Sequence, residues 1–228
     1  MIAPLRPEPV RPAITRRRFV ELAGAGAGLT LLAACGKDAG WHANDVSGGF
    51  PRLDFTMTRA SDGKEVTAAD YRGQVVLLYF GYTYCPDVCP TTLSTAGDIL
   101  EALGPAADHV RMLFVTVDPN RDTPSVLADY VSNFGPQVEG LRGTPDQLAA
   151  LTRRYRVVYS VKPEADGHPY EVTHSSAIYV FDASGAARLI VSSLSASRPD
   201  KAGTVADLKR LIGEGAPEGF FSRLLHMV

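Results

Sequence analysis

Cysteine is scarce in this sequence: Cys35, Cys85 and Cys89 are the three in 228 residues. That is too few for a small disulfide-built domain, and the odd number sets one apart from a pair. Charge of either sign is nearly cancelled, with 23 Lys+Arg against 25 Asp+Glu and a net of −2. The balance lacks the basic excess of a nucleic-acid binder and the high net charge of a disordered chain. No apolar run reaches the roughly 18 residues of a membrane span without interrupting glycines, which excludes a multi-span membrane protein. What is present is an ordinary globular share of apolar residues, 45%. At roughly 100–200 residues per domain, the length fits one domain plus an extension.

The extension lies at the N-terminal end. Residues 1–14 are rich in proline and offer nothing to a core. Thr15-Arg16-Arg17-Arg18-Phe19 then leads into a short, glycine-bearing apolar stretch that ends in small residues. This order predicts an export signal over residues 1–34. The paired arginines and Phe19 resemble a twin-arginine signal, although Glu21 stands where such signals usually carry a base. Leu32-Ala33-Ala34-Cys35-Gly36 resembles a bacterial lipoprotein box with Cys35 as the lipidated residue. The expected location is therefore the outer, periplasmic face of the cytoplasmic membrane. The alternative, an uncleaved span, is opposed by the shortness and glycine content of the apolar stretch. Removing five arginines and two glutamates would move the net charge from −2 to −5 and leave Cys85 with Cys89 as a pair. Residues 35–49 are polar and read as a tether.

From residue 50 the pattern alternates. Phe55–Thr58 and Glu65–Thr67, joined through Asp62-Gly63, predict a hairpin. Val75–Phe80 and Val110–Val117 are continuous apolar runs of the buried-strand kind. Helices are expected from about Pro90 to Leu103, over Val126–Phe134, over Pro145–Tyr155 behind the cap Thr144, and over Val205–Ile212. Strands are expected at 157–161, 177–181 and 187–191, with Ala183-Ser184-Gly185 turning between the last two. The reading is an α/β domain over residues 50–213, a mixed sheet flanked by helices and preceded by a hairpin. Thioredoxin-like topology is the favoured version, and 214–228 is a tail without readable structure.

The cysteine pair stands at the end of the first buried strand, in Phe80-Gly81-Tyr82-Thr83-Tyr84-Cys85-Pro86-Asp87-Val88-Cys89-Pro90. A proline follows each cysteine and biases it toward extended backbone. Pro90 fits only the first turn of a helix. Pro86 and Asp87 suit the centre of a turn beginning at Cys85, which would leave Cys89 beside a helix N-terminus that favours thiolate. Three intervening residues permit either a disulfide or a shared metal, whereas thiol–disulfide exchange proteins typically have two. Of the five histidines, His42, His109, His168 and His226 fall in the tether, a loop end, a loop and the tail. His174 stands just before a late strand and is the candidate third donor. Two thiolates and an imidazole form a soft, three-coordinate set suited to Cu(I), or to Cu(II) with an added water or carboxylate.

The cysteine run, Val117-Asp118-Pro119-Asn120-Arg121-Asp122-Thr123-Pro124, Val172-Thr173-His174-Ser175 and the shorter Asp45–Gly49, Asp54-Phe55 and Gly63-Lys64 together resemble the SCO family, over about residues 45 to 212. Those proteins are copper-binding, thioredoxin-like assembly factors for cytochrome c oxidase. The resemblance implies that Cys85, Cys89 and His174 bind copper and serve the binuclear copper centre of oxidase subunit II, with other copper chaperones as further partners. Tyr84 and Thr173 stand where family members often have His and Asp, so His174 lacks a neighbouring carboxylate to orient it. Asp118 is expected either to add charge near the site or to cap its own turn. A thiol–disulfide oxidoreductase, with Cys85 or Cys89 attacking and the other resolving, is the competing reading. A peroxide-reducing enzyme lacks its residue set here.

Overall fold

Strands that are apolar on both faces must be covered on both sides, and parallel pairing with helical crossovers achieves this. The computed structural model describes residues 40–165, 170–192 and 194–215. In chain order its elements are β1 (Asn44–Asp45), β2 (Thr56–Arg59), β3 (Glu65–Thr67), β4 (Val75–Gly81), α1 (Val88–Leu103), β5 (Val110–Thr116) and α2 (Pro124–Ser132). There follow β6 (Val138–Arg142), α3 (Pro145–Arg154), β7 (Tyr159–Lys162), β8 (Glu171–His174), β9 (Ile178–Phe181), β10 (Ala187–Val191) and α4 (Lys201–Gly215). The sheet order is β1-β10-β9-β4-β5-β6-β2-β3, and β7 with β8 forms a separate antiparallel arm. The central strands β4, β5 and β6 are parallel. β9 runs antiparallel to β4, and β10 antiparallel to β9. Helix α1 packs on α4, and α2 on β6. This is the mixed sheet flanked by helices expected from the sequence, with the β2–β3 hairpin at one edge.

Local chemistry places the ends of these elements. Gly63, at φ +69°, turns the hairpin in a backbone region that side chains rarely adopt. The Thr144 hydroxyl accepts from the Gln147 backbone N–H while the Gln147 side-chain Oε1 accepts from the Thr144 N–H, a complete capping box opening α3. Every residue of β4 is buried.

Several elements differ from expectation. Helix α1 begins at Val88 rather than near Pro90, so Cys89 lies within its first turn. Pro90 is still tolerated, because the first four helical N–H groups have no partner inside the helix. The turn expected to begin at Cys85 instead ends there, with the Cys85 N–H donating to Tyr82 O at 3.3 Å. Helix α4 starts four residues early, at Lys201. Strands β6 and β8 were not anticipated, nor was β1 inside the stretch read as a tether. That stretch is docked from Trp41 onward: the buried Asp207 carboxylate on α4 accepts the His42 and Ala43 N–H groups at 3.1 and 2.8 Å. Arg210 lies 4.1 Å from the Trp41 ring centroid. Among the described residues, no helix is long and apolar enough to cross a membrane.

Candidate metal centre

Sheet direction brings distant residues together. The cysteine loop leaves the C-terminal end of β4, and the antiparallel β9 pairs Ile178 with Tyr79 at that same end. His174, which closes β8 just before β9, is thereby delivered to the cysteines although it lies 85 residues from Cys89. The carboxyl ends of parallel strands, beside a change of strand direction, are the usual place for a ligand in such sheets.

The two sulfurs and one imidazole nitrogen lie within 4.8 Å of one another. Cys89 Sγ is 3.2 Å from His174 Nε2. His174 Nδ1 is 3.0 Å from the Ser175 carbonyl oxygen. A carbonyl only accepts, so Nδ1 carries the proton and Nε2 presents its lone pair to the sulfurs. The orientation expected from an acidic neighbour is thus supplied by backbone, and Thr173 is exposed. Burial holds the His174 imidazole below its ordinary pKa, opposed by the Ser175 hydrogen bond, so the ring favours its neutral, ligating form.

The two cysteines differ. Cys85 is half-buried, and its sulfur accepts the Cys89 N–H from the first turn of α1 at 3.4 Å. Cys89 is fully buried, and burial pushes its thiol up to about 12. The expectation that the helix terminus would favour a Cys89 thiolate is therefore corrected: the amide there serves Cys85, and desolvation outweighs the dipole at Cys89. Burial therefore favours the thiol form of Cys89 in the metal-free protein.

Around this trio stand residues to which the sequence assigned no role of their own, Tyr79 within the buried strand and Gly81 and Tyr82 within the cysteine run. The Tyr79 hydroxyl donates to Cys89 Sγ at 3.6 Å. Tyr79 and Tyr82 present their rings edge-on to the imidazole, with centroids 6.1 and 5.8 Å away. Gly81 leaves room for sulfur: a Cβ there would lie 2.9 Å from Cys89 Sγ. Asp118 does not join the converging donors. It accepts the Arg121 and Asp122 N–H groups through its backbone, and its side chain meets Tyr170 and Arg121.

Of the remaining histidines, His42 is exposed with Nδ1 3.4 Å from Asp200, and His109 closes a 3-10 turn before β5. His168, His226 and Cys35 lie outside the described residues, as do the export signal and the lipoprotein box.

Comparison with known proteins agrees with this geometry. The SCO1/SenC family model matches residues 51–213. The bovine mitochondrial protein SCO2 homolog is 38% identical over 191 residues, covering 78% of this chain and 70% of that protein. Bradyrhizobium japonicum ScoI with copper bound superposes with a TM-score of 0.62 at 39% identity, covering 70% of this chain and 98% of its own. Yeast Sco1 with copper bound gives a TM-score of 0.62 at 32% identity, covering 74% of this chain and 92% of its own. The thioredoxin-like fold is common to them. With a family model spanning most of its length and a relative 38% identical matched over 70% of its own length, the chain belongs to the SCO1/SenC family.

Proposed function

We propose that this protein is a copper metallochaperone in cytochrome c oxidase assembly, which binds copper through the Cys85 and Cys89 thiolates and His174 Nε2. Its acceptor is the binuclear copper centre of oxidase subunit II. The observation that carries this reading is the convergence of two sulfurs and a lone-pair-bearing nitrogen within 4.8 Å. Thiolate and imidazole are donors that select copper over hard cations. Copper-bound relatives with this fold support the choice of metal.

Three donors leave a side of the ion open to an incoming thiolate, so donors can be exchanged one at a time while the ion keeps its charge. Loading takes the proton from Cys89, and release returns it. The surroundings suit docking. Among the described residues, the exposed large hydrophobics are Tyr84, Val88 and Val158. Tyr84 precedes Cys85, Val88 precedes Cys89, and the Val158 carbonyl accepts the Ser175 N–H beside His174. The oxidoreductase alternative needs an accessible attacking thiolate; buried Cys89, held as thiol, is poorly suited to that part, which leaves the half-buried Cys85 alone for it.

We also propose residues 1–34 as the export signal and Cys35 as the lipid anchor. The copper-binding domain, residues 50–213, would then stand on the outer face of the cytoplasmic membrane, where other copper chaperones load it.

Titrating the reduced protein with copper under X-ray absorption is expected to report two sulfur neighbours and one nitrogen. His174→Ala should lose the nitrogen and tight binding yet still form the Cys85–Cys89 disulfide. Unchanged affinity and coordination in that variant would overturn the three-donor site.

A further inference from the structure

The two sulfurs come from one short stretch, the loop after β4 and the first turn of α1, but the imidazole comes from the β7–β8 arm, outside the main sheet. An isolated two-stranded arm is marginal in water. Ordering it only when metal arrives would subtract its conformational entropy from the binding free energy. Tyr159 and Val172 pack against the core and the Tyr82 hydroxyl donates to the Val172 carbonyl at 3.4 Å, and the turn after β5 adds the contacts nearest the arm's entry to β8.

The Asp118 side chain is fully buried, where a carboxylate needs partners for its charge. Its Oδ1 accepts the Tyr170 hydroxyl at 2.6 Å, and its Oδ2 accepts Arg121 Nε at 2.5 Å. The same guanidinium lies 3.8 Å from the Tyr170 ring centroid and 4.8 Å from that of Tyr84. Tyr170 stands four residues before His174, and Tyr84 directly before Cys85. One cation therefore touches the arm and the cysteine loop together. From the same turn, buried Asp122 accepts the Thr83 N–H at 3.1 Å and the Thr83 hydroxyl at 2.6 Å, fixing the loop. A planar guanidinium can stack on two rings while keeping an in-plane bond to a carboxylate, which an ammonium cannot do.

We propose that Asp118, Arg121 and Tyr170 are positioning residues that clamp the imidazole-bearing arm to the cysteine loop, so that the three donors are assembled before the metal arrives. This rests on Cys85, Cys89 and His174 acting as one metal-binding set. The clamp touches none of the three donors. Removing the Tyr170 hydroxyl acts on the arm alone, because Asp122 holds the cysteine segment separately through Thr83, whereas Arg121 also meets Tyr84 beside Cys85.

The test uses the reduced full chain with Tyr170→Phe, which deletes the hydroxyl but keeps the ring, and Arg121→Lys, which keeps the charge facing Asp118 but loses the planar stack. In metal-free protein, amide hydrogen exchange over residues 171–174 should accelerate about 10-fold, with β4 and β5 unchanged. Cu(I) affinity, read by competition with a chromophoric chelator, should fall about 10-fold, the size typical of losing a residue that orients a ligand. In Tyr170→Phe the midpoint potential of the Cys85–Cys89 disulfide should not move. In a His174→Ala background, Tyr170→Phe should cost no further affinity. A loss that persists in that background, or parent-like exchange in the arm of both variants, would overturn the clamp. A parent protein that takes up no Cu(I) would instead overturn the metal reading, while accelerated exchange confined to 171–174 would still support the clamp.

Discussion

Replacing Gly81 by Ala tests the packing beneath the site with a single methyl group. Gly81 ends β4 and does not occupy the left-handed backbone region, so alanine meets no backbone strain there. If open space surrounded it, Gly81→Ala would stabilise the protein by about 0.4–1 kcal/mol through lost unfolded-state freedom. The structure predicts the opposite sign. The new Cβ would fall 2.9 Å from Cys89 Sγ and 2.5 Å from Phe114 Cε2. Neither neighbour can yield without cost. Cys89 and Phe114 are fully buried, and the Phe114 ring is held between Tyr79 and Tyr130 at centroid distances of 5.8 and 5.6 Å. Overpacking a tight interior by one methyl costs about 1–3 kcal/mol. The sulfur can relieve the clash only by shifting, which disturbs its approach to His174. Urea denaturation of the reduced, copper-free protein should show a lower midpoint with an unchanged slope. Cu(I) affinity should fall in parallel. A neutral or stabilised variant with parent-like affinity would refute the claim that backbone and sulfur are in contact.

Copper loading should release at least one proton, because Cys89 is held as a thiol up to about 12 by burial. Apparent affinity therefore rises with pH by about tenfold per unit for each proton displaced, and calorimetry in buffers of different ionisation enthalpy should reveal it; equal heats would contradict a protonated Cys89. The same raised value makes metal-free stability fall as pH climbs past the ordinary thiol range, since the unfolded chain loses its proton first. Asp207→Ala should strip the His42 and Ala43 N–H groups of their acceptor, at a cost of about 1–3 kcal/mol. Trp41, the single tryptophan, should report the loosened edge by a red-shifted emission. Cys35→Ser should abolish membrane partition and the lipid mass while copper binding persists; membrane retention would favour an uncleaved span instead.

How much of this was legible beforehand varied with the kind of signal. β4 and β5 could be read because continuous apolar runs have few alternatives, and α2 and α3 because Thr-Pro at a helix start is a local instruction. β6 escaped because Gly140 interrupts its pattern, and that glycine answers to a distant residue: a Cβ there would lie 2.7 Å from Leu127 Cγ. β8 escaped because Glu171–His174 is alternately exposed and half-buried, with no fully buried residue. The start of α1 was missed by two residues because proline rules limit where a helix can begin without choosing among the permitted positions.

Residue type and short-range spacing determined the α/β class and the separation of one cysteine from a pair, and the family resemblance of the motifs named His174 as the third candidate donor. Tertiary structure decided the rest. It set which nitrogen of His174 faces the sulfurs, which cysteine is the buried thiol, and that the Asp118–Asp122 turn grips both donor-bearing segments. Hydrogen-bond direction and desolvation depend on what surrounds an atom in space. Those surroundings come from strands that meet only after the sheet has formed.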